Sequence, residues 1–380
     1  MQTRLTNGYF SVFTSNTLAG SGNQFVFASD GKEIKTGRIL YKIFSGGKYG
    51  YSFLFSNITD GTYADGAVSA KNRACPEWTM HRLRVGKCRF VPEGVNPEKL
   101  TVSDGEFSSD ITVTDLKEVT FEGKRSKVVG SGEIFATDTI ELSFEKDEYL
   151  CLEITFSGTV IPYHEESLLP SFVKGESGWV YSRKTPVASM IGCDRKVKGR
   201  IVFFGDSITQ GIGTPFNSYR HWNALFAEKL GDDFSYWNLG LGFGRAEDAA
   251  SGGAWFEKAK NCDYCFVCFG VNDLLQGRSK QAIMRDLRHI YKNLTASGVN
   301  VVMQTVPPFD YPEELRSAWA EINDFIKTDL ACGNVFDVVP ILMESEKRPF
   351  NARFGGHPNE NGCRIWAERL YLESKDIFRK

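Results

Sequence analysis

Ile201-Val202-Phe203-Phe204-Gly205-Asp206-Ser207-Ile208-Thr209-Gln210-Gly211 is the stretch that decides how the chain is read. Four apolar residues in succession predict a strand buried on both faces, as in a parallel sheet. Gly-Asp-Ser then turns the chain at the strand's carboxyl end, where open α/β sheets hold their ligands. A serine on that turn, opening the next helix, presents its hydroxyl to the crevice. The helix's first N–H groups face any negative charge that develops beside it. Ser207 is therefore the candidate nucleophile. Capping the helix is the plainer use of the same residue, since Ser and Asp both favour that position.

Downstream, strands and helices alternate. Residues 218–230 read as an amphipathic helix ended by Gly231, and a strand covers 234–239. A helix over 246–261, a strand over 264–269 and a helix over 279–297 come next. A strand over 300–305, a helix over 312–331, a short strand over 335–341 and a terminal helix from about 361 complete the series. This alternation predicts a parallel sheet covered by helices on both faces, a three-layer α/β/α arrangement. No Gly-x-Ser-x-Gly elbow occurs, so the pattern is not that of an α/β-hydrolase.

Three further stretches follow strand ends or precede the last helix: Asn238-Leu239-Gly240-Leu241-Gly242-Phe243-Gly244, Phe269-Gly270-Val271-Asn272-Asp273 and Gly355-Gly356-His357-Pro358-Asn359-Glu360-Asn361-Gly362. With Gly205-Asp206-Ser207-Ile208 they resemble, in order, the four sequence blocks of the SGNH (GDSL-type) esterases and lipases. That resemblance implies an acyl-transfer site. Ser207 would be the nucleophile, and His357 the general base and later the acid for the leaving alcohol; imidazole suits both because its unperturbed pKa is near neutrality. The oxyanion would be held by the Ser207 turn, by an amide of the glycine loop and by the side chain of Asn272. Counting from Asn238 places the loop donor at Phe243, whereas glycine identity favours Gly242 or Gly244. Asp206 and Trp255 are placed as walls of the substrate pocket, with core packing the other use of Trp255. No metal or organic cofactor is implied.

One position departs from the family pattern. Phe354 stands where an aspartate usually precedes the histidine by three residues. The imidazole then needs another acceptor, either a main-chain carbonyl in the 354–356 stretch or a displaced carboxylate such as Glu346 or Glu360. Some family 2 carbohydrate esterases run on a Ser–His dyad with a main-chain carbonyl, and they place a jelly-roll module before the SGNH domain.

Residues 1–195 fit that arrangement. Short alternating runs broken by Gly, Asp, Asn and Ser predict an all-β sandwich or jelly roll. Tyr49, Tyr51, Phe53 and Phe55 share one face of a strand, suited to core packing or to a sugar platform. Residues 139–145 and 150–156 repeat the alternation around the polar Lys146-Asp147-Glu148. The basic run from Asp194 to Arg200 marks the passage to the second domain, residues 196–380.

Charge is nearly balanced at −2 over 380 residues, which argues against a dedicated nucleic-acid or anionic-membrane binder. The first residues carry no apolar leader pattern, so a cytoplasmic protein is expected. Nine cysteines show no disulfide spacing. The Cys262, Cys265 and Cys268 run has the character of a buried strand rather than of a metal site. The resulting expectation is a serine esterase that removes acetyl groups from an acetylated oligosaccharide. A lipase or thioesterase and an inactive carbohydrate-binding protein are the alternatives.

Overall fold

A computed structural model of the chain describes residues 8–20, 22–23, 25–64, 67–88, 105, 111–164, 169–330, 334–345, 348–349, 352–353 and 356–379. They form two compact units, Met1–Lys196 and Val197–Lys380.

The first unit is built of antiparallel strands. One sheet runs Thr14–Ser15, Met190–Cys193, Gly47–Ser56 and Ile134–Ala136, with Ile140–Phe144 also paired to Gly47–Ser56. The other runs Gly178–Tyr181, Ser171–Gly175, Lys35–Lys42, Tyr149–Gly158, Trp78–Cys88 and Val113–Val119, with Lys127–Val129 beside Trp78–Cys88. The strands 140–144 and 149–158 are therefore not a hairpin. The polar 145–148 connection carries the chain from one sheet to the other, as a sandwich requires. Tyr51, Phe53 and Phe55 are buried, and Phe55 stacks on Phe135 at 5.4 Å. Core packing, not a sugar platform, is the use of those three rings.

The second unit holds a five-stranded, wholly parallel sheet: β1 (Gly199–Gly205), β2 (Phe234–Gly240), β3 (Tyr264–Cys268), β4 (Asn300–Gln304) and β5 (Val335–Phe336), in spatial order 2-1-3-4-5. Neighbouring side chains of β1 point to opposite faces, and each finds an aromatic cluster. Phe203 meets Trp222, Phe226, Tyr236 and Phe266 on one face. Phe204 meets Trp255, Phe256 and Phe269 on the other. Both faces are thus covered, which is why the strand reads as an unbroken apolar run. On the first face the helices Trp222–Leu230 and Glu360–Ser374 pack together, with Trp222 and Trp366 stacked at 4.9 Å.

Several elements are shorter than their periodicity suggests. The 218–230 helix begins only at Trp222, because Tyr219 adopts a left-handed φ of +55°. The 246–261 segment is two helices, Ala246–Ala250 and Ala254–Ala259, parted by Gly252 and Gly253 at φ +79° and +96°. The helix from Glu313 ends at Phe325 and widens into a π-turn, Ile326–Leu330. The 335–341 strand is only Val335–Phe336, and a helical turn, Val339–Leu342, follows it. No described helix is long and apolar enough to cross a membrane.

Candidate active site

The strand order reverses its direction of growth at β1. The chain leaves β1 for β2 on one side, then crosses back to β3 on the other. Crevices form at such switch points, outside the carboxyl ends of the strands. Gly205, the last residue of β1, lies beside Gly240 of β2 and Cys268 of β3. The loops after β1, β2 and β3 therefore leave the sheet side by side.

After β1, Asp206 caps the short helix Ser207–Gln210 by accepting the Ile208 N–H at 2.9 Å. The cap is thus the aspartate's task, and the Ser207 hydroxyl is left for other work. Its Oγ lies 2.9 Å from His357 Nε2, across 150 residues of chain. His357 arrives just ahead of the helix Glu360–Ser374, whose first turn is capped by Asn359 accepting from the Gly362 N–H. Gly213, at φ +101°, backs directly onto this segment. A Cβ there would lie 2.5 Å from the Pro358 carbonyl oxygen and 2.9 Å from the His357 Cβ, so only glycine admits the histidine this closely. On another side the Phe309 ring meets the imidazole edge to face at 5.2 Å.

The loop after β2 is a tight turn. The Leu241 N–H donates to the Gly205 carbonyl at 3.0 Å, and the Gly244 N–H donates to the Leu241 carbonyl at 2.9 Å. Gly244 is therefore corrected as an oxyanion donor, because its amide already closes the turn. Its carbonyl has a different task, accepting from Asn272 Nδ2 at 3.0 Å. Phe243 holds the third turn position at φ +58°, where a type II turn normally has glycine.

The Asp273 carboxylate binds the loops after β2 and β3 together. It accepts the Ala246 N–H at 2.8 Å and the Glu247 N–H at 3.4 Å, and Arg278 Nε lies 3.2 Å away. Burial pushes its carboxyl up to about 6, against the pull of the two amides and Arg278. Burial likewise raises Asp206 to about 7, with the nearby Asp273 adding to it.

The two residues expected to wall a pocket do not reach solvent. Asp206 and Trp255 are each 1 % exposed. Trp255 donates its Nε1–H to the Leu239 carbonyl at 2.9 Å and packs on Phe204 and Phe269. Both support the loops from beneath rather than face a ligand, because the sheet core leaves them no open side. Of the carboxylates considered for His357, Glu360 lies 2.6 Å from Arg220. Glu346, Phe354 and Gly355 fall outside the described residues. His164 and His221 are buried and held neutral, near 3 and 4, and His81 bonds Ser157 at 2.8 Å. Among the described residues no group of three His, Cys, Asp or Glu side chains is placed to hold a metal.

Two contributors carry only a weak signal in the sequence. Asp273 follows Asn272 in the first turn of the helix Val271–Leu275, and an acidic residue there is a natural acceptor for the start of a neighbouring helix. Phe309 follows Pro307-Pro308 at the carboxyl end of β4, the same side of the sheet as Ser207, and that placement is the signal that could have found it.

Residues 203–365, most of the second unit, match the family model described as GDSL-like Lipase/Acylhydrolase. Acyl-ester hydrolysis is the chemistry of that class. The whole chain is similar to a family two carbohydrate esterase from Clostridium thermocellum, solved in complex with cellohexaose. The identity is 13 %, with 97 % of this chain and 99 % of that one covered at a TM-score of 0.41. A carbohydrate acetylesterase family member from Sinorhizobium meliloti is 14 % identical over 49 % of this chain and all of its own, at a TM-score of 0.37. A member of the lipolytic G-D-S-L family from Veillonella parvula is 22 % identical over 46 % of this chain and 96 % of its own, at a TM-score of 0.37. No curated protein matches the sequence.

Proposed function

We propose that this chain, whose second unit carries a GDSL-like acylhydrolase domain, is a serine esterase that removes acetyl groups from carbohydrate hydroxyls. The observation that carries the reading is the 2.9 Å approach of Ser207 Oγ to His357 Nε2 at the sheet's switch point. With a neutral imidazole accepting at Nε2, the serine O–H donates to it. As Oγ bonds to the ester carbonyl carbon, its proton passes to Nε2. The tetrahedral oxyanion is met by the Ser207 N–H at the helix start, by the Phe243 or Gly242 N–H and by Asn272 Nδ2. An amide nitrogen carries two hydrogens, so the bond to Gly244 leaves one for the oxyanion. Collapse expels the sugar hydroxyl, which takes the proton from Nε2. Water then repeats the sequence on the acetyl-serine and releases acetate.

The turn after β2 favours Phe243 as the loop donor. The Gly244 amide is spent on the closing bond to the Leu241 carbonyl, and the Phe243 amide is not the donor of that bond. The acetylated sugar as substrate rests on the family 2 esterase pattern of a β module ahead of the SGNH domain and an absent aspartate.

Hydrolysis of ethyl acetate and of glucose pentaacetate by wild type, Ser207→Ala and His357→Ala tests the proposal. Each variant is expected to lose at least about 10³ in kcat with KM little changed, as for disabled nucleophile–base pairs elsewhere. Equal rates in Ser207→Ala and wild type would remove the esterase reading.

A further inference from the structure

The nucleophile stands on very little structure of its own. Ser207–Gln210 is a single helical turn, and so short a helix fixes its residues for hardly any internal hydrogen bonding. Its hold must come from outside. The sheet closes one side: a Cβ on Gly240, the last residue of β2, would lie 2.5 Å from the Thr209 carbonyl carbon. A side chain provides a second hold. Asn223 Nδ2 donates to the Thr209 carbonyl at 2.6 Å, satisfying one of the end carbonyls that a short helix leaves open.

Asn223 is itself oriented. The Thr209 carbonyl can take a bond only from the amide nitrogen, so Oδ1 is left for another partner, and it meets His221 Nδ1. Oδ1 only accepts, so Nδ1 carries the proton. Burial keeps the imidazole neutral, near 4, and its one N–H is spent on this bond. Thr209, His221 and Asn223 are each no more than 1 % exposed, so bulk water does not compete for either bond.

The same short segment reaches the catalytic histidine's element. Arg220 pairs at 2.6 Å with Glu360, which opens the helix that follows His357-Pro358-Asn359. Trp222 stacks on Trp366 of that helix. Residues 220–223 thus touch both the turn that carries Ser207 and the helix that anchors His357.

We infer that His221 and Asn223 are positioning residues of the esterase site proposed above: His221 fixes the Asn223 amide, and Asn223 holds the Ser207 turn at proton-transfer distance from His357. The inference rests on that proposal. Neither side chain touches the reacting atoms; they act in series, through the Thr209 carbonyl. A serine hydroxyl sits one carbon from the backbone, so the placement of the turn sets its reach. Misplacement by about 1 Å can cost on the order of a hundredfold in rate.

The test separates positioning from packing. Asn223→Leu keeps the volume and removes both bonds, and His221→Phe keeps a ring and removes the N–H. His221→Asn loses the ring but restores an amide N–H where Nδ1 stood. On ethyl acetate, Asn223→Leu and His221→Phe are expected to lose about ten- to a hundredfold in kcat with KM little changed. Both should also react more slowly with diethyl 4-nitrophenyl phosphate, read as 4-nitrophenolate released on phosphorylation of Ser207. His221→Asn should keep kcat close to wild type even though its urea midpoint falls below that of His221→Phe. The double variant His221→Phe/Asn223→Leu should be no slower than Asn223→Leu alone, as expected of groups in series. Wild-type kcat in His221→Phe would overturn the inference. So would losses in His221→Phe and His221→Asn that follow their urea midpoints, or losses that multiply in the double variant. Equal ester hydrolysis by Ser207→Ala and wild type would instead remove the underlying esterase reading, a result no variant at 221 or 223 can imitate.

Discussion

Asp206 shows how a single buried group links cap, charge and stability. Its carboxyl titrates near 7 in the folded chain because burial disfavours the ion, whereas an unfolded aspartate titrates near 3.9. Between about pH 4 and 7 the folded state therefore holds a proton that the unfolded state has released. The sign follows: this group's contribution is fully favourable below the unfolded pKa and is lost as pH rises toward the folded one. Asp206→Asn keeps an oxygen to accept the Ile208 N–H and removes the titration. Urea unfolding midpoints measured from pH 4 to 8 are expected to fall more steeply with pH in wild type than in the variant. The difference should reach the order of a few kcal/mol across that window. Parallel slopes would show that Asp206 ionises at an ordinary pH. Nothing in Gly-Asp-Ser announces this, because the shift comes from the sheet ends that enclose the carboxyl and from Asp273, 67 positions later.

At the scale of elements, the site depends on loops held in mutual register more than on any helix or strand. Asp273 connects the start of the helix Ala246–Ala250 to the loop that carries Asn272, and Asn272 returns a bond to the Gly244 carbonyl. Asp273→Ala would leave two helix-start amides and Arg278 without this acceptor. A loss of about 1–3 kcal/mol in urea unfolding is expected. A fall in kcat on ethyl acetate should accompany it, since both proposed oxyanion loops lose their common anchor. Asp273→Asn retains an acceptor oxygen and should be milder on both counts. Loss of stability with kcat unchanged would show that the clamp does not orient the donors. Element types were legible from periodicity, as with the helix Lys280–Ala296, whose apolar residues Ile283, Leu287, Ile290 and Leu294 recur at helical spacing. Breaks were less so. The Gly252-Gly253 pair interrupts the 246–261 segment because both residues take left-handed φ, whereas a glycine pair in sequence is equally compatible with a continuous, weakened helix.

For the whole molecule, each of the two compact units has its own aromatic core. Tyr51, Phe53, Phe144 and Phe156 are buried in the first, and Trp222, Trp255 and Trp366 in the second. Heat unfolding by calorimetry is therefore expected to exceed a single two-state step, with a calorimetric enthalpy larger than the van't Hoff value. Asp206→Asn should move only the component belonging to the second unit; one transition with equal enthalpies would refute independent cores. The sequence by itself determined the alternation of elements, the apolar continuity of β1 and the four short blocks, because each is a local pattern of burial or turn chemistry. Only the tertiary structure decided that Ser207 and His357 meet at 2.9 Å, that the Gly244 amide is already engaged, and that Asp206 and Trp255 lie beneath the crevice rather than in its wall. Those are facts of strand order and loop closure. The Ser207–His357 contact joins residues 150 positions apart, and no periodicity along the chain encodes which strand ends become neighbours.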